Sequence, residues 1–110
     1  MPIDLYIYSG LGNIIAIIDS LRNDISINSE DVLKIYQSHK IDFDQLIMVL
    51  PPKEPENNFD AKIYNNDGSI ASNCINGARC VSKFIEDHSL CASKKVKVNT
   101  DGGIWYLESL

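Results

Sequence analysis

The chain has 110 residues, of which 45% are apolar and 23% charged, and its net charge is −5. This fits one small globular domain with a modest core. The acidic balance argues against non-specific binding to nucleic acid or to an anionic membrane, since both want a basic surface. No apolar run approaches the ~20 residues of a membrane span. The start, Met1-Pro2-Ile3-Asp4-Leu5, lacks the basic and apolar segments of a secretory signal, so a cytoplasmic protein is expected.

Residues 3–8 alternate, with Ile3, Leu5 and Ile7 on one side and Asp4, Tyr6 and Tyr8 on the other, which predicts a half-buried strand. Ser9 to Asn13 breaks it with turn residues. Ile14 to Ile18 is a continuous apolar, mostly β-branched run and predicts a strand covered on both faces. A loop follows over residues 21–28. Ser29 is placed to cap a helix from Glu30 to Ser38, with Glu30 and Asp31 favourable in its first turn. Its apolar side is expected to carry Val32, Leu33, Tyr36 and His39.

Leu46 to Leu50 reads as a second buried strand, stopped by Pro51-Pro52, and residues 51–58 as a polar surface loop. Phe59, Ala61 and Ile63 alternate with Asp60, Lys62 and Tyr64, giving another strand. Asp67-Gly68 marks a turn within Asn65 to Ser69. A helix is predicted from Ile75 to His88, with Ala78, Val81, Phe84 and Ile85 facing the core. Val96 and Val98 define a strand, Asp101-Gly102-Gly103 a turn, and Ile104 to Leu107 a last strand. About six strands interrupted by single helices predict an α+β domain rather than a doubly wound sheet.

Three cysteines, Cys74, Cys80 and Cys91, stand at irregular spacing. They make a poor disulfide framework and point to reduced thiols. With no Cys-x-x-Cys pair, and with His39 and His88 at no ligand-like spacing, no metal site is expected. Cys80 and Cys91 read as small buried hydrophobes. Cys74 differs, because the stretch from Asn65 to Cys80 takes a strand through a polar turn and puts Cys74 at the mouth of a helix. A helix N-terminus offers unpaired N–H groups and a partial positive charge. It would favour the thiolate of Cys74 and form an anion site beside it, suited to a carboxylate. On spacing alone, a reactive cysteine and a buried one at a helix start remain equally open.

The run Asn65-x-Asp67-Gly68-Ser69 followed by Asn73-Cys74-x-Asn76-Gly77-Ala78-Arg79-Cys80 closely resembles the first active-site motif of diaminopimelate epimerases. Gly10-Leu11-Gly12-Asn13 before an aliphatic strand ending at Asp19 is similar to the start of that family. So is Asp44-Gln45-Leu46 running into Pro51-Pro52, and more weakly Val98-x-Thr100-x-Gly102. The four matches keep the family's order and spacing over nearly the whole chain.

The resemblance implies a fold of two pseudo-symmetric domains, each a mixed sheet curled like a barrel around a central helix. It implies an enzyme that interconverts LL- and meso-diaminopimelate, in lysine and cell-wall precursor synthesis, with no pyridoxal phosphate, other cofactor or metal. Each domain supplies one cysteine; one takes the α-proton as thiolate and the other returns a proton to the opposite face. Residues 1–110 would be the N-terminal domain, with the C-terminal catalytic domain absent and required in cis or in trans. Cys74 matches the catalytic cysteine of the first domain. Ile75 and Asn76 match the backbone N–H donors for the α-carboxylate, and Asn13, Gln45 and Asn65 match side chains that hold the amino-acid substrate. Asn also favours turns in its own right, and Asp67, Gly68 and Ser69 read as shapers of the turn. Position 75 is Ile where the family usually has Gly, but the N–H survives.

Cys80 lies six residues beyond Cys74, roughly 9 Å along a helix and about 240° around it, so it cannot oppose Cys74 across one carbon. The isolated chain is therefore expected to be inactive. Two other readings are a non-catalytic binding or assembly subunit, or remnant, that pairs with a separate C-terminal half, and a racemase for another amino acid. A chain with half an interface can also form a homodimer through exposed apolar surface.

Overall fold

The computed structural model describes residues 3–10, 12–38, 42–71 and 75–108. Among them run β1 (Tyr6–Gly10), β2 (Asn13–Asp19), α1 (Ser29–Ser38), β3 (Gln45–Leu50), β4 (Phe59–Asn65), α2 (Ile75–Asp87), β5 (Lys95–Thr100) and β6 (Gly103–Glu108). The expected six strands and two helices are all present, with ends shifted by up to three residues, the most at the start of β1.

The strands form one sheet in sequential order, β1 to β6. Neighbours are antiparallel except β2 with β3 and β4 with β5. Each parallel pair is joined through a helix, because parallel strands need a crossover. Both crossovers advance the sheet in the same direction, yet β4 runs opposite to β2. A right-handed connection must then pass over one face for β2 to β3 and over the other for β4 to β5.

The core divides accordingly. On one face Ile15, Ile17, Ile47, Val49, Phe59, Ala61 and Ile63 pack with Cys80, Val81, Phe84 and Ile85 of α2. On the other, Ala16, Ile18, Leu46, Met48 and Tyr64 pack with Phe43 and with Val32 and Ile35 of α1. Alternate residues of β2 and β3 serve opposite faces, so both strands read as continuous apolar runs. The helix α2 touches β1 at one edge of the sheet and β6 at the other, as well as β2 and β3 between them. A flat sheet would hold its edge strands ~24 Å apart, so the sheet curls around α2. The result is the mixed, barrel-like wrap around a central helix that the family resemblance implies.

Three local expectations are corrected. The cap of α1 is Asn28, not Ser29. The Asn28 side chain accepts from the Asp31 N–H and the Asp31 carboxylate accepts from the Asn28 N–H, both at 3.0 Å, a reciprocal capping box. Within α1, Val32 and Ile35 are buried while Leu33 is 38% exposed; Ile35 is the inward residue that the periodicity missed, and His39 lies outside the described residues. In β1 the tyrosines face α2. Tyr6 packs tilted and Tyr8 edge-to-face against Phe84, at 5.3 and 6.4 Å between ring centroids, and Ile7 is left 40% exposed. The amphipathic Tyr rings suit an edge strand, burying their bodies against the helix while the hydroxyls reach water or a polar partner.

Candidate active site

Asn13 opens β2, Gln45 opens β3 and Asn65 closes β4. The ladder brings them to one end of the sheet. Ile15, two residues after Asn13, pairs with Gln45, and Gln45 pairs with Asn65. All three share the α2-facing side, because they alternate in step with Ile15, Ile47 and Ile63. Each is half-buried. The Gln45 Nε2 donates to Asn65 Oδ1 at 3.3 Å.

The direction of α2 follows from its far end. Phe84 and His88 lie against Tyr6, the His88 ring at 4.7 Å, and Tyr6 pairs with Ile17 rather than with Asn13. The C-terminus of α2 is thus at the opposite end of the sheet from Asn13. Thirteen residues span ~20 Å, about the length of the strands beneath. The N-terminus of α2 therefore lies at the end, and on the face, where Asn13, Gln45 and Asn65 meet. Ile75 and Asn76 are its first two residues, and Asn76 is half-buried. Cys74 lies outside the described residues and directly precedes Ile75 in the sequence.

Two features tie this end together beyond the expected residues. Asp44 clamps the start of β2, its Oδ2 accepting from the Ile14 N–H at 2.7 Å and its own N–H donating to Ile14 O at 2.8 Å. The turn after β4 closes on itself through Asn65 N–H to Ser69 O at 2.8 Å and Gly68 N–H to Asn65 O at 3.0 Å. Gly68 has φ +89 and is packed so closely on Ser29 that an added Cβ would collide with the Ser29 carbonyl oxygen. Asn66 Nδ2 donates to Phe43 O at 3.2 Å and anchors the turn to the segment before β3. Within it, Asp67 Oδ1 accepts from the Ser69 hydroxyl at 2.6 Å and from the Ser69 N–H at 2.9 Å. The Ser69 hydroxyl first, and then its N–H, hold the Asp67 carboxyl below the usual carboxylate range.

Of the other cysteines, Cys80 is 4% exposed in the α2-facing core, as expected. Cys91 is half-buried rather than buried, with the Asn58 amide 3.9 Å from its sulfur. Among the described residues no cluster of three His, Cys, Asp or Glu side chains could hold a metal, and no helix is long and apolar enough to cross a membrane. Two grooves lie elsewhere among the described residues. One runs between α2 and the segment before β5, past Ile85, Cys91 and Lys94; the other runs between α1 and residues 22–27.

A family model described as diaminopimelate epimerase matches residues 5–109. The chain belongs to the diaminopimelate epimerase family. It is 38% identical over 96 residues to a diaminopimelate epimerase of Laribacter hongkongensis, covering 86% of this chain and 34% of that protein. It is 39% identical over 100 residues to that of Stutzerimonas stutzeri, covering 90% of this chain and 36% of that protein. The chain thus spans about a third of the length of these curated relatives, whose names make the family one of isomerases.

Solved structures share the fold at low identity. A phenazine biosynthesis protein of the PhzF family from Bacillus anthracis superposes with a TM-score of 0.73 at 17% identity, covering 96% of this chain and 35% of that one. A methylitaconate-delta-isomerase superposes with a TM-score of 0.72 at 18% identity, covering 96% and 58%. At such identities the likeness is one of fold.

Proposed function

We propose that this chain is the N-terminal domain of a diaminopimelate epimerase and supplies one half of its active site, with Cys74 as the acid/base on one face of the substrate α-carbon. One observation carries the reading most directly: Asn13, Gln45 and Asn65 meet at the sheet end where α2 begins, in a chain of the epimerase family. The residue before that helix is Cys74.

The chemistry follows from the helix start. Free N–H groups at Ile75 and Asn76 would bind the α-carboxylate of diaminopimelate. The same positive end would lower the Cys74 thiol from its ordinary ~8.5 and keep thiolate available near neutral pH. Charge developing on the carboxylate as the α-proton leaves is stabilised by donors already in place. Asn13, Gln45 and Asn65 would hold the substrate against the sulfur.

Inversion also needs a second acid/base on the opposite face. Two groups each ~3–3.5 Å from one carbon stand ~7 Å apart. Cys80 is enclosed in the core between α2 and the sheet, and Cys91 follows the opposite end of that helix. The second thiol therefore comes from a C-terminal domain, in cis or in trans, that closes over this end of the sheet and excludes water. The reaction would belong to lysine and cell-wall precursor synthesis in the cytoplasm.

The test mixes the chain with the part of the Stutzerimonas stutzeri relative that it does not cover and follows exchange of the α-proton of LL-diaminopimelate in deuterated water by NMR. The expected result is no exchange by either part alone, exchange in the mixture, and its loss by at least ~10³-fold with Cys74→Ala. Turnover by the 110-residue chain alone, abolished by Cys74→Ala, would overturn the half-site.

A further inference from the structure

The structure assigns Asp67 and Ser69 a role beyond the turn they stand in: we propose that they are positioning residues that set which way the amides of Asn65 and Gln45 face the site. The inference rests on the reading above, in which those two amides hold the substrate.

The polarity runs in one direction. The Ser69 hydroxyl has a single proton, and it is committed to the Asp67 carboxylate at 2.6 Å, a short, charge-assisted bond. Towards its other neighbour the hydroxyl oxygen can only accept. Asn65 meets it with Nδ2, which donates at 3.0 Å. Its Oδ1 is then turned away from Ser69, where it accepts from Gln45 Nε2 at 3.3 Å.

An amide can exchange its oxygen and nitrogen with almost no change of shape, so only a partner of fixed polarity decides its orientation. Here the fixed partner is a carboxylate, which can only accept. One charge on the turn thereby orders the donors and acceptors of two side chains on neighbouring strands.

The shape of the turn does not depend on that relay. Two backbone hydrogen bonds close it, and Gly68 supplies the positive φ. The bond from the Ser69 N–H to Asp67 Oδ1 is of a kind that Asn makes as well as Asp. A residue needed only for the turn would therefore tolerate Asp67→Asn. A residue that sets amide polarity would not, because a neutral amide can either donate to Ser69 or accept from it.

The experiment uses the ¹⁵N-labelled 110-residue chain and its Asp67→Asn, Ser69→Ala and Ser69→Thr variants, with LL-diaminopimelate as probe. Backbone amide spectra first establish that each variant keeps the fold. Solvent exchange of the Asn65 side-chain amide should accelerate about tenfold in Ser69→Ala and return to the parent rate in Ser69→Thr, which restores the hydroxyl. The Kd read from the Asn65 and Gln45 side-chain shifts should rise about tenfold in both Asp67→Asn and Ser69→Ala, and stay within about twofold of the parent in Ser69→Thr.

Parent-like affinity in Asp67→Asn and Ser69→Ala overturns the positioning role. So does unchanged amide exchange in Ser69→Ala. If the unsubstituted chain shows no response of Asn65 and Gln45 to diaminopimelate, the substrate reading falls and the positioning role falls with it; the exchange rates separate that failure from absence of the relay.

Discussion

The two ends of the sheet are built from different chemistry. At the end where α2 finishes, several charged groups pair with one another or with polar neighbours. Asp19, 2% exposed, accepts from the Leu21 and Arg22 N–H groups and from the Arg22 guanidinium. Burial alone would raise its carboxyl, but those donors outweigh it and hold the group below its ordinary value. Arg22 reaches on to His88 Nδ1 at 3.3 Å, and His88 packs on Tyr6 and Phe84. Tyr8 donates to Asp87, which also pairs with Lys83.

At the end where α2 starts, the half-buried amides of Asn13, Gln45 and Asn65 stand beside two exposed carboxylates, Asp44 and Asp67. The Tyr8–Asp87 and Arg22–His88 contacts, with the Tyr6, Tyr8 and His88 rings on Phe84, hold the C-terminal end of α2 on the sheet. The two ends are separated by the length of one helix.

The largest effect should come from breaking the fastened end. Phe84 is fully buried and is the ring on which Tyr6, Tyr8 and His88 converge. Phe84→Ala should cost about 3–5 kcal/mol, measured by urea unfolding, and in a chain of this size it is expected to leave little folded protein. A smaller loss should come from the other end. Gly68→Ala forces a side chain into a positive φ and against the Ser29 carbonyl oxygen, for about 2 kcal/mol. It should also disturb the Asn65 amide, whereas Phe84 substitutions that preserve the fold should leave that amide unchanged.

The smallest effect is confined to alkaline pH. Burial first, and then the bond to Asp87, push the Tyr8 hydroxyl up to about 12. A raised pKa means that the folded state holds its proton more tightly than the unfolded chain. The stabilisation is therefore complete below pH ~10 and is lost as pH rises through about 12. Absorbance titration should show one late phenolate that is missing in Tyr8→Phe, and that variant should lose less stability between pH 10 and 12 than the parent. Equal losses would mean that Tyr8 titrates normally.

Much of this was legible in the residues themselves. The doubly covered β2 and β3 were readable because a strand buried on both faces has no polar alternation. The start of α2, the turn at Asp67-Gly68 and the inward Val81, Phe84 and Ile85 are local patterns, and the four family motifs named Cys74, Asn13, Gln45, Asn65, Ile75 and Asn76 as candidates. Period-two alternation in β1 allowed either face to be inward, and Ile7 looked the better core residue than Tyr6. The choice fell to α2, which packs on the tyrosines. The expectation of Ser29 as cap failed because Asn caps a helix as well as Ser does, and the reciprocal bonds between Asn28 and Asp31 give Asn28 the place.

By itself the sequence determined the kinds of element, their order and the family, since these depend on residue periodicity, turn chemistry and motif spacing along the chain. Only the tertiary structure decided that Gln45 and Asn65, twenty residues apart in the chain, are direct ladder partners, and that Asn13 sits at the same end of the sheet. It likewise decided that Asp67, Ser69, Asn65 and Gln45 form one chain of hydrogen bonds. Register and hydrogen-bond direction are set by long-range pairing and by the sharing of single protons, and neither leaves a periodic trace in the chain.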